Sequence, residues 1–203
     1  NNMLVVAFRA GVALDRGDFA EAVRYAQRAV ELDPLGVVNR SNLAVHLAGV
    51  GRFDDARREL VRAREINPGM PQFDELEAEL LVMEGRNDEA IAVAERLPDG
   101  VVKYQTLALA FAGLERVSDF ETAVARLHAA GDPERALALA KVHAWRGEAD
   151  DAFEWLERAM RIIAESSPSP GGRLRQPWGP IHSPLFLPLY DDPRLQRYFS
   201  PDA

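Results

Sequence analysis

Apolar residues recur along the chain with the spacing of amphipathic helices, and the predicted helices come in pairs. Residues 37–66 show the pattern most clearly, with two apolar stripes separated by Gly51. The apolar positions are Leu43, Ala44 and Leu47 in the first stripe and Ala56, Leu60 and Ala63 in the second. Gly51 suits a turn, because a residue just past a helix end often needs a positive φ. This stretch therefore predicts helix, short turn, helix.

The helix pair repeats at an interval of 34 residues. Three sets of small residues keep this interval: Gly17, Gly51 and Gly85; Ala10, Ala44 and Ala78; and Ala22, Ala56 and Ala90. Pro34 and Pro68 are predicted to end the second helices, because the residue before a proline avoids the α region. Small residues on facing helices let two backbones approach closely. Because neither helix can bury its apolar stripe alone, the pattern predicts a stack of helical hairpins.

These positions resemble the tetratricopeptide repeat, a 34-residue helix-turn-helix with small residues at set positions and a closing proline. Residues 3–36 and 37–70 match well, and a third unit from residue 71 matches through Ala90. The signature tryptophan is missing from all three units, and the signature tyrosine position holds Ala13, Leu47 and Leu81. The resemblance implies an all-α fold, a right-handed superhelical solenoid of antiparallel helix pairs with an irregular C-terminal capping segment.

The repeat becomes irregular after Ala90. Pro98 follows it by only eight residues, so the second helix of the third pair is expected to be short. A fourth pair is predicted at residues 101–113 and 118–130, joined by an enlarged turn with the sequence LERVSD. Within it, Ser118 and Glu121 have the spacing of a capping box, in which each side chain binds a free backbone amide. The fourth pair is therefore expected to be the irregular one.

A fifth pair is predicted with Asp132 as its cap and Pro133 in the first helical turn. We expect a solenoid of about five hairpins at residues 1–164, a Pro/Gly-rich loop at 165–182 and a C-terminal capping segment at 183–203, in which Asp192 and Pro193 start a last short helix. The apolar side chains expected to cover the open end of the stack are Leu185, Phe186, Leu187, Leu189, Tyr190, Leu195, Tyr198 and Phe199, with Trp145, Trp155 and Trp178. The tail residues could instead form a partner-binding motif.

The C-terminal sequence carries a second resemblance. Residues 145–159 and the segment PLFLPLYDDPR resemble the end of bacterial repeat proteins in which the repeats follow a transcription-factor, cyclase or kinase domain. This resemblance implies a regulatory or oligomerisation domain of a larger bacterial transcriptional or signalling regulator. The opening residues NNMLVVAFRAG begin almost directly in helical pattern, so we expect the chain to be a piece of a longer protein.

Composition argues against several other classes of protein. The chain has 24 Lys+Arg against 32 Asp+Glu, a net charge of −8, which disfavours binding to a nucleic-acid backbone. There are no cysteines, no two of the four histidines share a helix at metal-ligand spacing, and no known catalytic motif occurs. We therefore predict no catalytic residues, no metal and no cofactor, although a helical enzyme or small-ligand sensor stays as a third hypothesis.

No apolar run approaches the roughly 18 residues of a membrane span, and no signal peptide opens the sequence. We expect a cytoplasmic protein without membrane insertion. The arginines of the second unit, Arg57, Arg58, Arg62 and Arg64, could form a basic patch. Their spacing from acidic neighbours favours ion pairs along a solvated helix instead.

The resemblance to the repeat family implies that a partner binds along the first helix of each pair, on the concave face. Asn42 occupies the asparagine position of the family's carboxylate clamp, but the basic clamp positions are not basic here. The predicted groove residues are Asp15, Val38, Ser41, Asn42, Val45, Gln72, Glu75, Glu79 and Val82. An apolar groove with an acidic rim suits a protein or peptide segment that carries Arg or Lys. The alternatives are carboxylates that are merely solvated, and a homodimer formed by exposed helices.

Overall fold

A computed structural model of the protein describes residues 3–15, 17–70, 72–128, 133–166 and 183–195; the side chains of residues 3, 4, 7, 15 and 166 lie outside the described part. Within these ranges the chain forms ten α-helices, one 3₁₀ helix and no strand. The α-helices are α1 (Met3–Asp15), α2 (Phe19–Leu32), α3 (Val37–Gly49), α4 (Phe53–Ile66), α5 (Gln72–Met83), α6 (Asn87–Arg96), α7 (Val101–Gly113), α8 (Val117–His128), α9 (Pro133–Trp145) and α10 (Ala149–Ser166).

The helices follow one another as five helix-turn-helix units in the described part of the chain. Extensive packing joins α1 to α2, α3 to α4, α7 to α8 and α9 to α10, while α2 packs on α3 and α6 packs on α7. As predicted, α6 is short, with 10 residues against 14 for both α2 and α4. The fold is thus the all-α solenoid of helix pairs that the sequence predicts.

Two compact units divide the chain. The first contains residues up to Leu80, so it holds α1 to α4 and most of α5, together with the described residues 183–184 and 190–195. The second runs from Leu81 through α10 and includes Leu185–Leu189. In each unit the helices bury alanines where they meet, among them Ala22 and Ala56 in the first and Ala90 and Ala152 in the second. The alanines that mark the repeat are therefore core residues.

The turn inside each hairpin has one conformation throughout. Gly17, Gly51, Gly85 and Gly147 have φ between 71° and 75°, which confirms the positive φ predicted for Gly51. In the second hairpin, the Gly51 amide donates to Ala48 O and the Arg52 amide donates to Leu47 O, each at 2.9 Å. These two bonds form a Schellman motif, which satisfies carbonyls left open at the helix end.

The fourth hairpin uses the same turn, which corrects the prediction of an enlarged loop. Glu115 takes the glycine position with φ of 56°, and its amide and that of Arg116 make the same pair of hydrogen bonds. Helix α8 therefore begins at Val117, and Ser118 lies inside its first turn. The predicted capping box was wrong, because the amide of Phe120 already binds Arg116 O and places Arg116 at the cap. A non-glycine residue in the left-handed region hides this repeat from the sequence pattern.

An arginine at the start of the second helix recurs in three hairpins. Arg52 donates from Nε to Asp55 Oδ2 at 2.7 Å, and Arg86 and Arg116 bind Glu89 and Asp119 in the same way, also at 2.7 Å. The hydrogen bond from Arg52 is the main reason that the pKa of Asp55 lies below its usual value. Each pair fixes a carboxylate in the first helical turn, where negative charge stabilises the helix dipole.

A buried ion pair joins α3 to α4. Arg40 donates from Nη1 to Glu59 Oε2 at 2.6 Å, and the two side chains are only 13% and 12% exposed. Arg40 also donates from Nε and Nη2 to Pro34 O, at 3.0 and 2.7 Å. Arg62 binds the other oxygen of Glu59 at 2.6 Å. One guanidinium therefore holds together the end of the first repeat and both helices of the second.

Two glycines in the first helices of their hairpins allow close packing against the preceding repeat. A Cβ at Gly49 would lie 2.8 Å from Cδ1 of the Phe19 ring, and a Cβ at Gly113 would lie 2.4 Å from Nδ2 of Asn87. Real Cβ atoms essentially never come so close to another heavy atom. Phe19 and Asn87 are each the first residue of the second helix of a hairpin, so the same close contact between repeats occurs in each unit.

The C-terminal segment is compact where the structure describes it. Pro184–Leu189 forms a 3₁₀ helix in which Leu185, Phe186 and Leu189 are buried, and Leu195 is also buried. A helical turn begins at Pro193, and Asp192 Oδ1 accepts a hydrogen bond from the Arg194 amide at 2.9 Å. Trp155 contacts His128 edge-to-face at 4.9 Å. Trp178, Tyr198, Phe199 and the predicted cap Asp132 lie outside the described residues.

Candidate functional site

The predicted groove residues on α3 differ widely in exposure. Val38 is 57% exposed, Asn42 and Val45 are partly exposed, and Ser41 is buried. The buried Ser41 hydroxyl has no hydrogen-bond partner among the described atoms. Helix α3 therefore offers a partner an apolar residue, an amide and a second valine, spaced along one face.

The groove residues on α5 divide in the same way. Gln72 and Glu75 are partly exposed, whereas Glu79 and Val82 are buried. A buried side chain offers little surface to a partner. On α5, the predicted groove residues with surface accessible to a partner are therefore Gln72 and Glu75. The side chain of Asp15 lies outside the described part. Within the first unit, the candidate site residues with exposed surface are thus Val38, Asn42, Val45, Gln72 and Glu75.

Sequence reasoning missed the most exposed aromatic residue of the first helix. Phe8 on α1 is 59% exposed and lies 34 residues before Asn42, so it holds the corresponding position of the first repeat. Val5 on the same helix is 47% exposed. The repeat interval alone would have found Phe8.

Other carboxylates of α5 face the preceding helix. Arg64 of α4 donates from Nη2 to Asp74 Oδ1 at 3.0 Å and to Glu77 Oε2 at 3.1 Å. These two carboxylates bind a cation of the preceding helix. Of the two α5 acids on the predicted groove face, Glu79 is buried and Glu75 is partly exposed. Fewer carboxylates therefore line the groove face of α5 than the number of acidic residues in that helix would indicate.

The arginines of α4 are engaged in ion pairs, which agrees with their interpretation as a solvated ion-pair face. Arg57 binds Asp54 and Arg58 binds Asp55, each three residues apart on the helix. Arg62 and Arg64 bind Glu59 and the α5 carboxylates. Every arginine of this set has an acidic partner.

A histidine and two carboxylates meet at the turn between α9 and α10. His143 Nδ1 lies 2.7 Å from Glu148 Oε2, and ligand atoms of His143, Glu148 and Asp151 all lie within 4.8 Å of one another. Arg146 donates to the other Glu148 oxygen at 2.7 Å. Burial raises the pKa of Glu148, but the bonds from Arg146 and His143 outweigh it and lower the pKa overall. The Arg146 ion pair and the His143 hydrogen bond therefore account for the position of the Glu148 carboxylate.

Among the residues that the structure describes, no helix combines the length and the apolar composition that a membrane crossing requires.

Comparison with known proteins identifies the repeats. Tetratricopeptide repeat family models match residues 13–80 and residues 134–166. A curated relative, the TPR repeat-containing thioredoxin TTL4 of Arabidopsis thaliana, is 28% identical over 123 residues, or 57% of this chain. The chain spans only 18% of that relative's length.

Three solved structures are similar in fold at low sequence identity. A tetratricopeptide repeat protein from Parabacteroides merdae has a TM-score of 0.62 at 13% identity, over 97% of this chain and 72% of that one. PilW, a widely conserved type IV pilus biogenesis factor, has a TM-score of 0.52 at 15% identity, over 85% and 81%. MamA from Desulfovibrio magneticus has a TM-score of 0.51 at 17% identity, over 82% and 97%. The 34-residue interval, the turn that recurs in five hairpins and the two family matches show that the chain is a tetratricopeptide repeat protein over residues 13–80 and 134–166.

Proposed function

We propose that the chain is a non-catalytic protein-interaction scaffold that binds a partner segment along the first helices of its first repeats. The observation that carries the proposal is the exposure of apolar side chains on those helices, above all Val38 on α3 and Phe8 on α1. Exposed apolar residues with a few polar neighbours are typical of peptide-binding surfaces. Asn42 supplies an amide that can bind a peptide backbone, as in the clamp of related repeats.

The chemistry of the rim favours a partner that carries Arg or Lys. Glu75 lies on the same face of α5 as Gln72, and the chain as a whole has a net charge of −8. A cationic segment would be drawn to this surface at low salt, and its apolar residues would cover Val38 and Phe8. No catalytic step and no cofactor enter this proposal.

A pair of matched valines tests the proposal. Val38 on α3 and Val61 on α4 are both 57% exposed, but only Val38 lies on the proposed binding face. Peptides of about 12 residues would be selected by display against the wild-type chain, and their affinities measured by fluorescence anisotropy. We expect Val38→Ser to weaken binding at least about tenfold, the equivalent of 1.4 kcal/mol, and Val61→Ser to leave it unchanged. Equal effects of the two variants would refute the proposed face.

The charge of the rim is tested separately. Glu75→Gln should reduce the affinity for Arg-bearing peptides and flatten the dependence of that affinity on salt. Glu65→Gln on the outer helix α4 is the control, since Glu65 is exposed on a helix outside the proposed face. If binding and salt dependence stay the same in Glu75→Gln, the carboxylate takes no part in binding the peptide.

A second candidate function is self-association through α1, as expected of an oligomerisation domain in a larger regulator. Val5 and Phe8 expose about half of their surface on one helix, and this observation favours it. Sedimentation velocity over a hundredfold range of concentration distinguishes the two. A dimer that Val5→Ser with Phe8→Ser converts to monomer would support self-association, and a wild-type monomer throughout would exclude it.

A further inference from the structure

The turn of the fifth hairpin differs from the other turns at two residues that a backbone hydrogen bond joins. In each hairpin, the residue after the one with positive φ donates its amide to the carbonyl of the residue five positions earlier. The pairs joined in this way are Ala13 with Asp18, Leu47 with Arg52, Leu81 with Arg86, Phe111 with Arg116, and His143 with Glu148. The earlier residue of the pair is therefore apolar in four hairpins and a histidine in the fifth.

The fifth turn also lacks the ion pair that three of the other turns carry. In the second, third and fourth hairpins, the later residue of the pair is an arginine that binds an acid three positions further on. In the fifth hairpin Glu148 replaces this arginine, while the acid is kept as Asp151. No side chain of the described residues pairs with the Asp151 carboxylate. Since the same turn forms in four hairpins without a histidine, the fold alone does not require this set of side chains.

The three side chains lie close enough to share one ion. His143 Nδ1 is 2.7 Å from Glu148 Oε2, and ligand atoms of His143, Glu148 and Asp151 all lie within 4.8 Å of one another. The Glu148 amide binds His143 O at 2.9 Å, so the backbone already fixes two of the three residues relative to each other. A tetrahedral zinc ion with ligands at about 2.0–2.1 Å holds them roughly 3.3 Å apart. Small rotations of the side chains would therefore bring all three onto one ion.

Arg146 leaves this arrangement open. Its guanidinium lies over the Phe120 ring, 4.3 Å from the centroid, and donates to Glu148 Oε1 from Nε at 2.7 Å and from Nη2 at 2.6 Å. The other oxygen of Glu148 faces His143. A partner that binds the second oxygen of a ligating carboxylate and fixes its orientation is common around metal ions. The two carboxylates carry two negative charges against the one positive charge of Arg146, so a divalent cation is still attracted.

We propose that His143, Glu148 and Asp151 form a binding site for one divalent cation of the zinc class, which clamps the end of α9 to the start of α10. One imidazole nitrogen with two carboxylate oxygens suits zinc and similar cations better than Mg²⁺ or Ca²⁺, which prefer oxygen ligands throughout. Asp151 is exposed, so water can complete the coordination. A metal was not expected from the sequence, because the histidines lack metal-ligand spacing within one helix; here one histidine meets two acids across a turn.

Calorimetric titration of the untagged full chain with ZnCl₂, after treatment with EDTA and removal of the chelator, tests the site. We expect one ion per chain, and we expect His143→Leu and Glu148→Arg each to weaken binding at least about tenfold. Both variants should fold, because they restore the residue types of the second and third hairpins, and circular dichroism checks this. The control is Glu21→Gln in the first hairpin, where two acids hold the positions of Glu148 and Asp151 without a histidine. Absence of zinc binding by the wild-type chain, or equal weakening by Glu21→Gln and His143→Leu, would refute the site.

Urea denaturation tests whether the ion clamps the two helices. A ligand that binds the folded chain stabilises it, so ZnCl₂ should raise the urea midpoint of the wild-type chain and leave that of His143→Leu unchanged. The same concentration of MgCl₂ should leave both midpoints unchanged. An equal rise with zinc in the wild-type chain and in His143→Leu would show that zinc acts elsewhere on the protein and would overturn the proposal.

Discussion

Removing one partner of the buried pair between Arg40 and Glu59 should destabilise the protein strongly. Arg40→Met leaves the Glu59 carboxylate in an environment only 12% exposed, and it also removes both hydrogen bonds to Pro34 O. Breaking a buried ion pair from one side typically costs about 3–5 kcal/mol. Arg62, whose side chain is 57% exposed, still binds Glu59 and offsets part of this loss. We therefore expect a loss of about 3 kcal/mol in the free energy of unfolding.

Urea denaturation followed by circular dichroism at 222 nm measures this loss. For a chain of this length, about 3 kcal/mol corresponds to a fall in Tm of roughly 6–12 °C. The matched control is Arg28→Met, since Arg28 binds Glu31 at 2.7 Å in a pair whose side chains are about half exposed. An exposed pair contributes about 0–1 kcal/mol, so the control should lie close to wild type.

A double variant separates the cost of an unpaired charge from the value of the pair. Arg40→Met with Glu59→Leu removes both charges, and it should be less destabilised than Arg40→Met alone because no carboxylate is left buried without its partner. If Arg40→Met costs no more than Arg28→Met, burial of the pair does not matter and the reasoning is wrong.

Three further perturbations have defined outcomes. Gly49→Ala should lower the free energy of unfolding by about 1–3 kcal/mol, because the new Cβ would lie 2.8 Å from the Phe19 ring. The control is Gly69→Ala, whose Cβ would lie 3.9 Å from a side-chain oxygen and which should be nearly neutral in the same urea titration. Glu115→Gly should raise the free energy of unfolding by up to about 1 kcal/mol, because it relieves a non-glycine residue at φ of 56°; an unchanged midpoint would mean that no strain is stored there. Burial, followed by the charges of His143 and Arg158, lowers the pKa of His128 below 6.5. As the pH drops below 6.5, His128 therefore binds a proton more readily in the unfolded chain than in the folded one, and the free energy of unfolding should fall. His128→Gln should make that fall shallower, as measured by urea midpoints at about pH 7.5 and about pH 5.5.

The parts of the fold that the sequence predicts are those fixed by local chemistry. The positive φ at Gly51, the short α6 before Pro98 and the helix ends before Pro34 and Pro68 each follow from one residue type in one place. The fourth turn escaped prediction because Glu115 takes a conformation that its side chain disfavours. No sequence pattern marks such a position, since the energy that offsets the disfavoured φ comes from the packing of the helices on either side.

The candidate site was harder to predict, because exposure is a property of packing. Ser41, Glu79 and Val82 have the spacing of groove residues, but they are buried in the folded chain. The contact between Tyr190 and Phe19 and the pair between Arg40 and Glu59 join residues from different helices or segments. Helical periodicity describes one helix at a time, so it does not contain these contacts.

The contact between the Tyr190 ring and the Phe19 ring has a consequence for how the protein is made. Helical hairpins contain mainly local contacts, so the first hairpin can fold soon after it leaves the ribosome. Tyr190 is synthesised about 170 residues after Phe19, which at 5–20 residues per second is a delay of roughly ten to thirty seconds. During that time the Phe19 ring has no tyrosine over it. A nascent chain therefore exposes the Phe19 ring to chaperones, or to a neighbouring copy on the same messenger RNA, before Tyr190 has been synthesised and can cover it.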